Sequence, residues 1–239
     1  MKNLKTLFLL SVLLFCTKVS HAYEKLDFFD NFHVYTPYVY ITQDDTTIEE
    51  AKILVLFHDY TKTKKNEKQI CDFAKESANW EYLAEKAKIF IMGFDIENYD
   101  SFADKKNMDT VNKRVLMEID RMKSTCGTKR TKVYVAGTNF GADIALLFNS
   151  VYDNYDGALC MNISKPTKDI EKNLDNCKNK KFYFFHCEKN KNMSAGKVKA
   201  LSKKLAKKGA KTEEKIYKDS KENLPYKAYL DAVNKIIRK

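Results

Sequence analysis

This sequence has few of the residues that interrupt regular structure. Its 239 residues include only seven glycines, three prolines and one tryptophan. No internal repeat and no linker rich in glycine or proline divides the chain, so one compact domain is expected. Hydrophobic residues make up 44% of the chain and aromatic residues 13%, which is enough to bury a sizeable core and excludes a disordered protein.

The sequence also lacks the motifs of several common sites. Its cysteines form no C-x-x-C pair, and His33, His58 and His186 show no short ligand spacing, so no metal site is predicted. There is no glycine-rich phosphate loop and no motif of interleaved aromatic and basic residues. We therefore expect no cofactor and no nucleic-acid partner.

The longest apolar run lies at the N-terminus, where two lysines precede Leu7–Cys16. This run is about half the roughly 20 apolar residues that span a bilayer. A small-residue pattern ends at Ala22, so residues 1–22 are predicted to be a secretory signal peptide cleaved after Ala22. Residues 23–239 are predicted to form a single domain, secreted or at the cell surface, with no transmembrane span.

Secretion would expose two kinds of residue to modification. Five cysteines remain after the leader is removed, and an oxidising compartment permits at most two disulfides among them, with the pairing left open: Cys71, Cys126, Cys160, Cys177 and Cys187. N-glycosylation sequons begin at Asn162 and Asn192. Three-residue patterns of this kind often occur by chance.

Short apolar runs alternate with helical patterns along the mature chain. Five runs have the length and composition of buried strands: Ile53–Phe57, Ile89–Phe94, Val133–Gly137, Gly157–Met161 and Phe182–Cys187. Amphipathic periodicity predicts helices at Asp109–Met122, at Val198–Leu205 with Gly209 as a stop, and after Pro225. The segment 31–41 is expected to add one or two antiparallel edge strands. This order predicts an α/β protein, a three-layer sandwich with a mostly parallel sheet and helices on both faces.

One junction between a predicted strand and helix has an unusual turn. The strand Val133–Gly137 leads into the pentapeptide G-x-N-x-G, which runs from Gly137 to Gly141, and an amphipathic helix follows. Glycines at these positions relieve crowding, so that the central side chain projects from a strained turn. This is the setting of a nucleophile elbow, with Asn139 in the central position.

These features resemble the α/β-hydrolase superfamily, and within it the secreted esterases of the feruloyl esterase and polyhydroxybutyrate depolymerase type. The resemblance covers most of the mature chain and is carried, in order, by "ILVLFHDYT", "WEYLAEKAKIFIMGFD", "KVYVAGTNFGADIALLF" and "FYFFHCEKNKNM". It implies an esterase-like fold with positions for a nucleophile, an acid, a histidine and an oxyanion hole.

The positions that the resemblance assigns to the catalytic triad are degenerate. Asn139 stands at the nucleophile position, and an amide is a poor nucleophile. Asn190 takes the place of the acid, with Glu188 nearby as a weak substitute. Lys221 lies near the place expected for the base, and no histidine follows His186. The resemblance therefore implies the scaffold of an esterase without its proton relay.

The implied oxyanion region comprises Asp59, Tyr60 and Phe140, and it also departs from the family. Asp59 replaces a glycine, and its carboxylate would oppose a developing anion by about 1 to 4 kcal/mol. A cleft that survives the loss of turnover can still bind a small acyl or glycan ligand. We expect His58, Tyr60, Asn139 and Phe140 to line it.

The favoured interpretation is a secreted, catalytically inactive esterase-like protein that serves in binding or extracellular structure. Loss of the nucleophile alone removes about six orders of magnitude of rate. An active esterase with non-standard residues is the alternative, and it needs a relocated nucleophile such as Thr138, or Cys187 beside His186. Successive strand residues face opposite sides of a sheet, which argues against a catalytic pair of Cys187 and His186.

A third interpretation rests on charge. The leader holds three of the 43 basic residues and none of the 32 acidic ones, so the mature chain has a net charge of +8. One helix sets five lysines opposite its apolar stripe: Lys199, Lys203, Lys204, Lys207 and Lys208. A solvated helix face accounts for this pattern, and so does adhesion to acidic, heparin-like glycans or anionic surfaces.

Overall fold

The computed structural model describes residues 23–28, 32–37, 50–57, 89–94, 105–164, 172–218 and 223–237. The strands are β1 (Tyr23–Phe28), β2 (Phe32–Pro37), β3 (Glu50–Phe57), β4 (Phe90–Phe94), β5 (Arg130–Thr138), β6 (Gly157–Met161), β7 (Lys181–Cys187) and β8 (Lys211–Tyr217). The helices are α1 (Lys105–Cys126), α2 (Phe140–Val151), α3 (Ala195–Lys207) and α4 (Tyr226–Ile237).

The eight strands form one sheet in the order β1-β2-β4-β3-β5-β6-β7-β8. The six strands from β4 to β8 in this order run parallel, whereas β1 and β2 are antiparallel at one edge. The predicted mostly parallel sheet is therefore confirmed, and segment 31–41 supplies one antiparallel strand, β2; the other, β1, lies before that segment and was not predicted.

Two apolar clusters, one on each face of the sheet, explain why the central strands are nearly continuous apolar runs. On one face, side chains such as Val135 and Phe184 pack against α1, α2 and α3. On the other face, the alternate side chains Tyr134 and Phe185 pack against α4. A strand buried on both faces needs apolar residues at every position. The helices on both faces confirm the predicted three-layer α/β sandwich.

Strand β8 was not predicted from the sequence. Four of its seven residues are charged, and most of its side chains are exposed, so it forms no apolar run. Its position comes from its parallel register with β7, which begins at the pair Lys181 and Lys211. Charged side chains on such an edge discourage pairing with further strands.

Local signals set the ends of two helices. Gly209 has a φ of +86° just after α3, which confirms it as the predicted stop. At the end of α2, the Lys180 ammonium donates to the carbonyl oxygens of Ser150 (3.2 Å) and Tyr152 (2.9 Å). This position at the C-terminal end of α2 lets the cation stabilise the negative end of the helix dipole. Only 9% of the Lys180 side chain is exposed, so solvent screens the interaction little.

Three of the cysteines have described side chains. Cys160, Cys177 and Cys187 are buried thiols rather than halves of a disulfide. The side chains of Cys71 and Cys126 lie outside the described part of the protein. Among the described helices, none is both long enough and apolar enough to cross a membrane. The predicted signal peptide, residues 1–22, also lies outside the described residues.

Candidate functional site

The turn between β5 and α2 has the backbone of a strained elbow. Asn139 is its single connecting residue, with φ 47° and ψ −113°, a conformation that residues other than glycine rarely adopt. Its N–H donates to the carbonyl oxygen of Met161 at 2.9 Å, and its own carbonyl oxygen accepts from the N–H of Ala142 at 3.1 Å. These bonds tie the turn to β6 on one side and to α2 on the other.

Close backbone packing explains the first glycine of the pentapeptide. A Cβ atom at Gly137 would overlap the carbonyl group of Gly141 and would lie 2.6 Å from the carbonyl oxygen of Phe57 at the end of β3. Real Cβ atoms essentially never approach backbone atoms so closely. Only glycine at position 137 therefore allows the strand, the turn and the helix to meet as they do.

Asn139 does not act as an ordinary helix cap. Asparagine is common at the residue before a helix, where its side-chain oxygen accepts from a backbone N–H of the first turn. Here the side chain makes no such capping bond, and the positive φ of Asn139 differs from the extended backbone usual at a cap. Asn139 thus has the backbone position of an elbow nucleophile, but its amide is a poor nucleophile.

The neighbouring residues of the predicted cleft are only partly described. Phe140 is the first residue of α2 and packs its half-buried ring against the cluster beneath α1, α2 and α3. The predicted oxyanion and ligand residues His58, Asp59 and Tyr60 lie outside the described residues, as does Lys221. Their proposed roles stay predictions.

Asn190 shapes the loop that follows β7. Its buried side chain accepts two backbone hydrogen bonds through Oδ1, from the N–H of Asn192 at 2.8 Å and of Met193 at 3.1 Å. Glu188, the weak substitute for the acid, is exposed. Strands β5, β6 and β7 are parallel neighbours, so Asn139 and Asn190 follow strand ends at the same edge of the sheet, with β6 between them.

His186 is a buried residue that anchors the same loop. Its Nε2–H donates to the carbonyl oxygen of Met193 at 2.7 Å, which leaves Nδ1 as the unprotonated nitrogen. Burial lowers the pKa of His186. Phe184 and Phe185 pack into opposite clusters, so strand alternation directs His186 and the next residue, Cys187, to opposite faces. A catalytic pair of these two residues does not fit this strand.

Asp143 is a buried carboxylate that the sequence analysis missed. It lies in the first turn of α2 and accepts two bonds from Ser164, one from the N–H at 3.1 Å and one from the hydroxyl at 2.5 Å. Burial and the nearby Asp143 charge raise the pKa of Cys160 well above its usual value. The available signal was that Asp143 is the only charged residue of a mostly apolar helix. Its bonds fix the segment after β6 against the elbow helix.

The predicted basic face is exposed on and just after α3. Its five lysines are exposed, while Val198, Leu201 and Leu205 are buried on the opposite side of the helix. Lys208 forms an ion pair with Asp175. The five lysine side chains are therefore exposed, and at least one of them is paired with an acidic residue.

A groove of about 460 Å³ lies elsewhere, between β7, β8 and α4. Ion pairs cross it, from Lys215 to Asp231 at 2.6 Å and from Lys235 to Glu213. These pairs hold α4 on the edge strand, and neither Asn139 nor the loop after β7 lines the groove. Within the described ranges, no group of three or more histidine, cysteine or acidic side chains is arranged to hold a metal ion.

The sequence profile of the dienelactone hydrolase family matches residues 95–222. A comparison with curated protein sequences gives no match.

Solved structures with the same fold include esterases and related hydrolases. An esterase from Pyrobaculum calidifontis superposes with a TM-score of 0.63 at 12% identity, covering 99% of this chain and 91% of the esterase. S-formylglutathione hydrolase from Staphylococcus aureus gives 0.61 at 14% identity, covering 90% and 94%. A thermostable esterase also gives 0.61 at 14% identity, covering 91% of this chain, which spans only 63% of that esterase's length. At such identities these likenesses show the fold alone.

Proposed function

The chain belongs to the dienelactone hydrolase family, and from this premise we propose that it is a secreted member that has lost catalysis and serves in binding or extracellular structure. The observation that carries the proposal is Asn139. It occupies the apex of the elbow between β5 and α2, in the strained conformation that such a turn requires.

The chemistry of acyl transfer supports this proposal. A serine-type hydrolase needs a hydroxyl that an imidazole deprotonates, and a carboxylate that orients the imidazole. At the apex, Asn139 has no proton that a base removes near neutral pH. In the acid loop, the Asn190 oxygen already accepts two backbone hydrogen bonds, and its amide carries no charge to stabilise an imidazolium. No histidine follows His186 in the sequence.

A vestigial cleft at this edge is proposed to bind a small acyl or glycan ligand. Parallel α/β sheets bind ligands outside the carboxyl ends of their strands, where Asn139 and Asn190 both lie. Loss of the nucleophile removes turnover without removing the backbone turn at the apex.

Hydrolysis of short p-nitrophenyl esters by the purified mature protein tests the proposal. We expect no turnover above that of Asn139→Ala, and we expect Asn139→Ser to remain inactive because a hydroxyl alone supplies no base. Labelling with a fluorophosphonate probe followed by peptide mapping is the second readout. Turnover that Asn139→Ala abolishes would overturn the proposal. Turnover that survives Asn139→Ala, with the probe on another residue, would establish the active esterase with a relocated nucleophile.

A second candidate function, adhesion to polyanions, rests on the exposed lysines of α3. Lys199, Lys203 and Lys207 lie at helical spacing on one side, so their charges add on a single surface. The partner proposed for this surface is an acidic glycan or an anionic surface outside the cell. This function is compatible with a catalytically inactive hydrolase fold.

Retention on immobilised heparin, measured by the salt needed for elution, tests the second function. Changing Lys203, Lys204, Lys207 and Lys208 together to Glu is expected to abolish retention. The matched control changes four exposed basic residues near α1 to Glu, which alters the net charge equally: Lys106, Lys113, Arg114 and Lys129. If both variants lose the same amount of retention, net charge alone explains binding to heparin, and α3 has no specific binding face.

A further inference from the structure

The two N-glycosylation sequons occupy very different environments in the fold. Asn162 follows β6 and Asn192 lies in the loop after β7, so both are at the edge of the sheet that carries the elbow. The two motifs are alike in sequence, since each asparagine is followed two positions later by a serine. Their burial and hydrogen bonds separate them.

Asn162 has no room for a glycan. It is 3% exposed, and the next residue, Ile163, is completely buried. Its Oδ1 accepts from the N–H of Cys187 at 3.0 Å, and its own N–H donates to the carbonyl oxygen of Phe185 at 2.7 Å. These bonds hold Asn162 against β7. A sugar on its amide nitrogen would have to occupy space that the core already fills.

Asn192 is presented to the solvent by the residues on either side of it. Asn190 accepts its backbone N–H, and the following residue, Met193, is buried with its carbonyl oxygen bound to His186. Because the chain is anchored before and after it, the exposed Asn192 side chain is held outward. Ser194, the third sequon residue, is exposed at the N-cap of α3 and accepts from the N–H of Lys197.

We infer that Asn192, and not Asn162, is an N-glycosylation site of the mature protein. The inference rests on the proposed secretion, because the glycan donor is a lipid-linked oligosaccharide of the secretory pathway. In the reaction, the Asn192 amide nitrogen forms a bond to C1 of the first sugar and loses a proton. The bond from C1 to the lipid pyrophosphate breaks, and the pyrophosphate leaves.

The position of this glycan bears on the candidate site. Asn192 is two residues from Asn190, and β6 alone separates β7, which precedes their loop, from β5, which ends just before Asn139. A branched glycan on the loop would lie beside the elbow edge. It would keep large partners from this edge while leaving room for small ligands.

The test uses the full chain, with its leader, secreted by cultured eukaryotic cells. Intact mass is measured before and after treatment with peptide N-glycosidase F, and peptide mapping locates the modified residue. We expect one glycan on the wild-type protein, at Asn192, and none on Asn192→Gln. Ser194→Thr keeps the sequon and the glycan. Ser194→Asp is expected to lose the glycan while keeping a good N-cap residue, so that a folding defect does not explain the loss.

The mass of the N-terminal peptide shows whether the leader has been cleaved. It therefore distinguishes a failure of the proposed secretion from a failure of the inferred glycosylation. A protein that is secreted with its leader cleaved but carries no glycan would overturn the inference and leave secretion intact. A glycan on Asn162 in folded, secreted protein would also overturn it. Retention in the cell with an intact leader would overturn both the inference and the proposed secretion.

Discussion

Gly137 and Gly141 approach so closely at the elbow that a Cβ atom on Gly137 would lie 2.3 Å from the carbonyl carbon of Gly141. The contact joins the end of β5 to the first turn of α2, and it holds Asn139 at the apex between them. Glycine at position 137 is thus required by the packing of the turn, whatever side chain the apex carries.

Replacing Gly137 by alanine should lower the free energy of unfolding by about 1 to 3 kcal/mol or more, because the neighbours of the new methyl group are backbone atoms that cannot move aside. Chemical denaturation measures the change. Gly196 near the start of α3 is the matched control, since a Cβ there would meet no atom within 4 Å. Gly196→Ala should be neutral or stabilising by up to about 1 kcal/mol. Equal losses in both variants would contradict the packing argument.

Replacing Asn139 by glycine should raise the free energy of unfolding by about 1 kcal/mol, because glycine adopts a φ of 47° without strain. Asn139→Val should lower it, since a β-branched residue is poorly suited to this backbone conformation. Thermal or urea unfolding reports both changes. If glycine and valine have the same effect, Asn139 is not held in a strained conformation.

Replacing Asn190 by alanine should destabilise the loop after β7 by about 1 to 3 kcal/mol, because two backbone N–H groups lose their acceptor. Asn190→Asp keeps an oxygen in the same place and should cost much less. Hydrogen exchange of the Asn192 and Met193 amides provides the local readout. Protection that survives in Asn190→Ala would show that the side chain does not hold the loop.

The stability of the protein should fall with decreasing pH through the range in which histidine titrates. The folded-state pKa of His186 is lowered from 6.5 by burial, so the unfolded chain takes up the proton first as the pH falls. The contribution of His186 is therefore complete above about pH 6.5 and declines below it, until the folded-state pKa is reached.

Urea unfolding at about pH 7.5 and about pH 5 tests this dependence. His186→Gln is the comparison, because its amide can still donate to the Met193 carbonyl oxygen but does not titrate. The variant should lose less stability than the wild type between the two pH values. If the wild type and the variant lose the same stability between the two pH values, His186 is not the source of the pH dependence.

Much of the fold and the identity of the elbow were readable in the sequence. The runs Ile53–Phe57 and Phe182–Cys187 are strands, and the pentapeptide around Asn139 forms the strained turn. These features were predictable because a strand buried on both faces must be apolar throughout, and because crowding at a strand-to-helix turn excludes side chains at its glycines. Both constraints select residue types within a short stretch of chain, so the local sequence shows them.

Other features depended on residues far apart in the chain. The charged strand β8 exists because it pairs with β7, and Asp143 is buried because Ser164, after the next strand, satisfies it.

The two sequons show the same division most clearly. The sequence by itself determined the α/β order of elements, the turn at Asn139 and the presence of two similar asparagine motifs. Only the tertiary structure decided that Asn162 lies in the core and Asn192 in the solvent. Burial follows from which strands become neighbours in the sheet, and a three-residue motif contains no information about its neighbours in space.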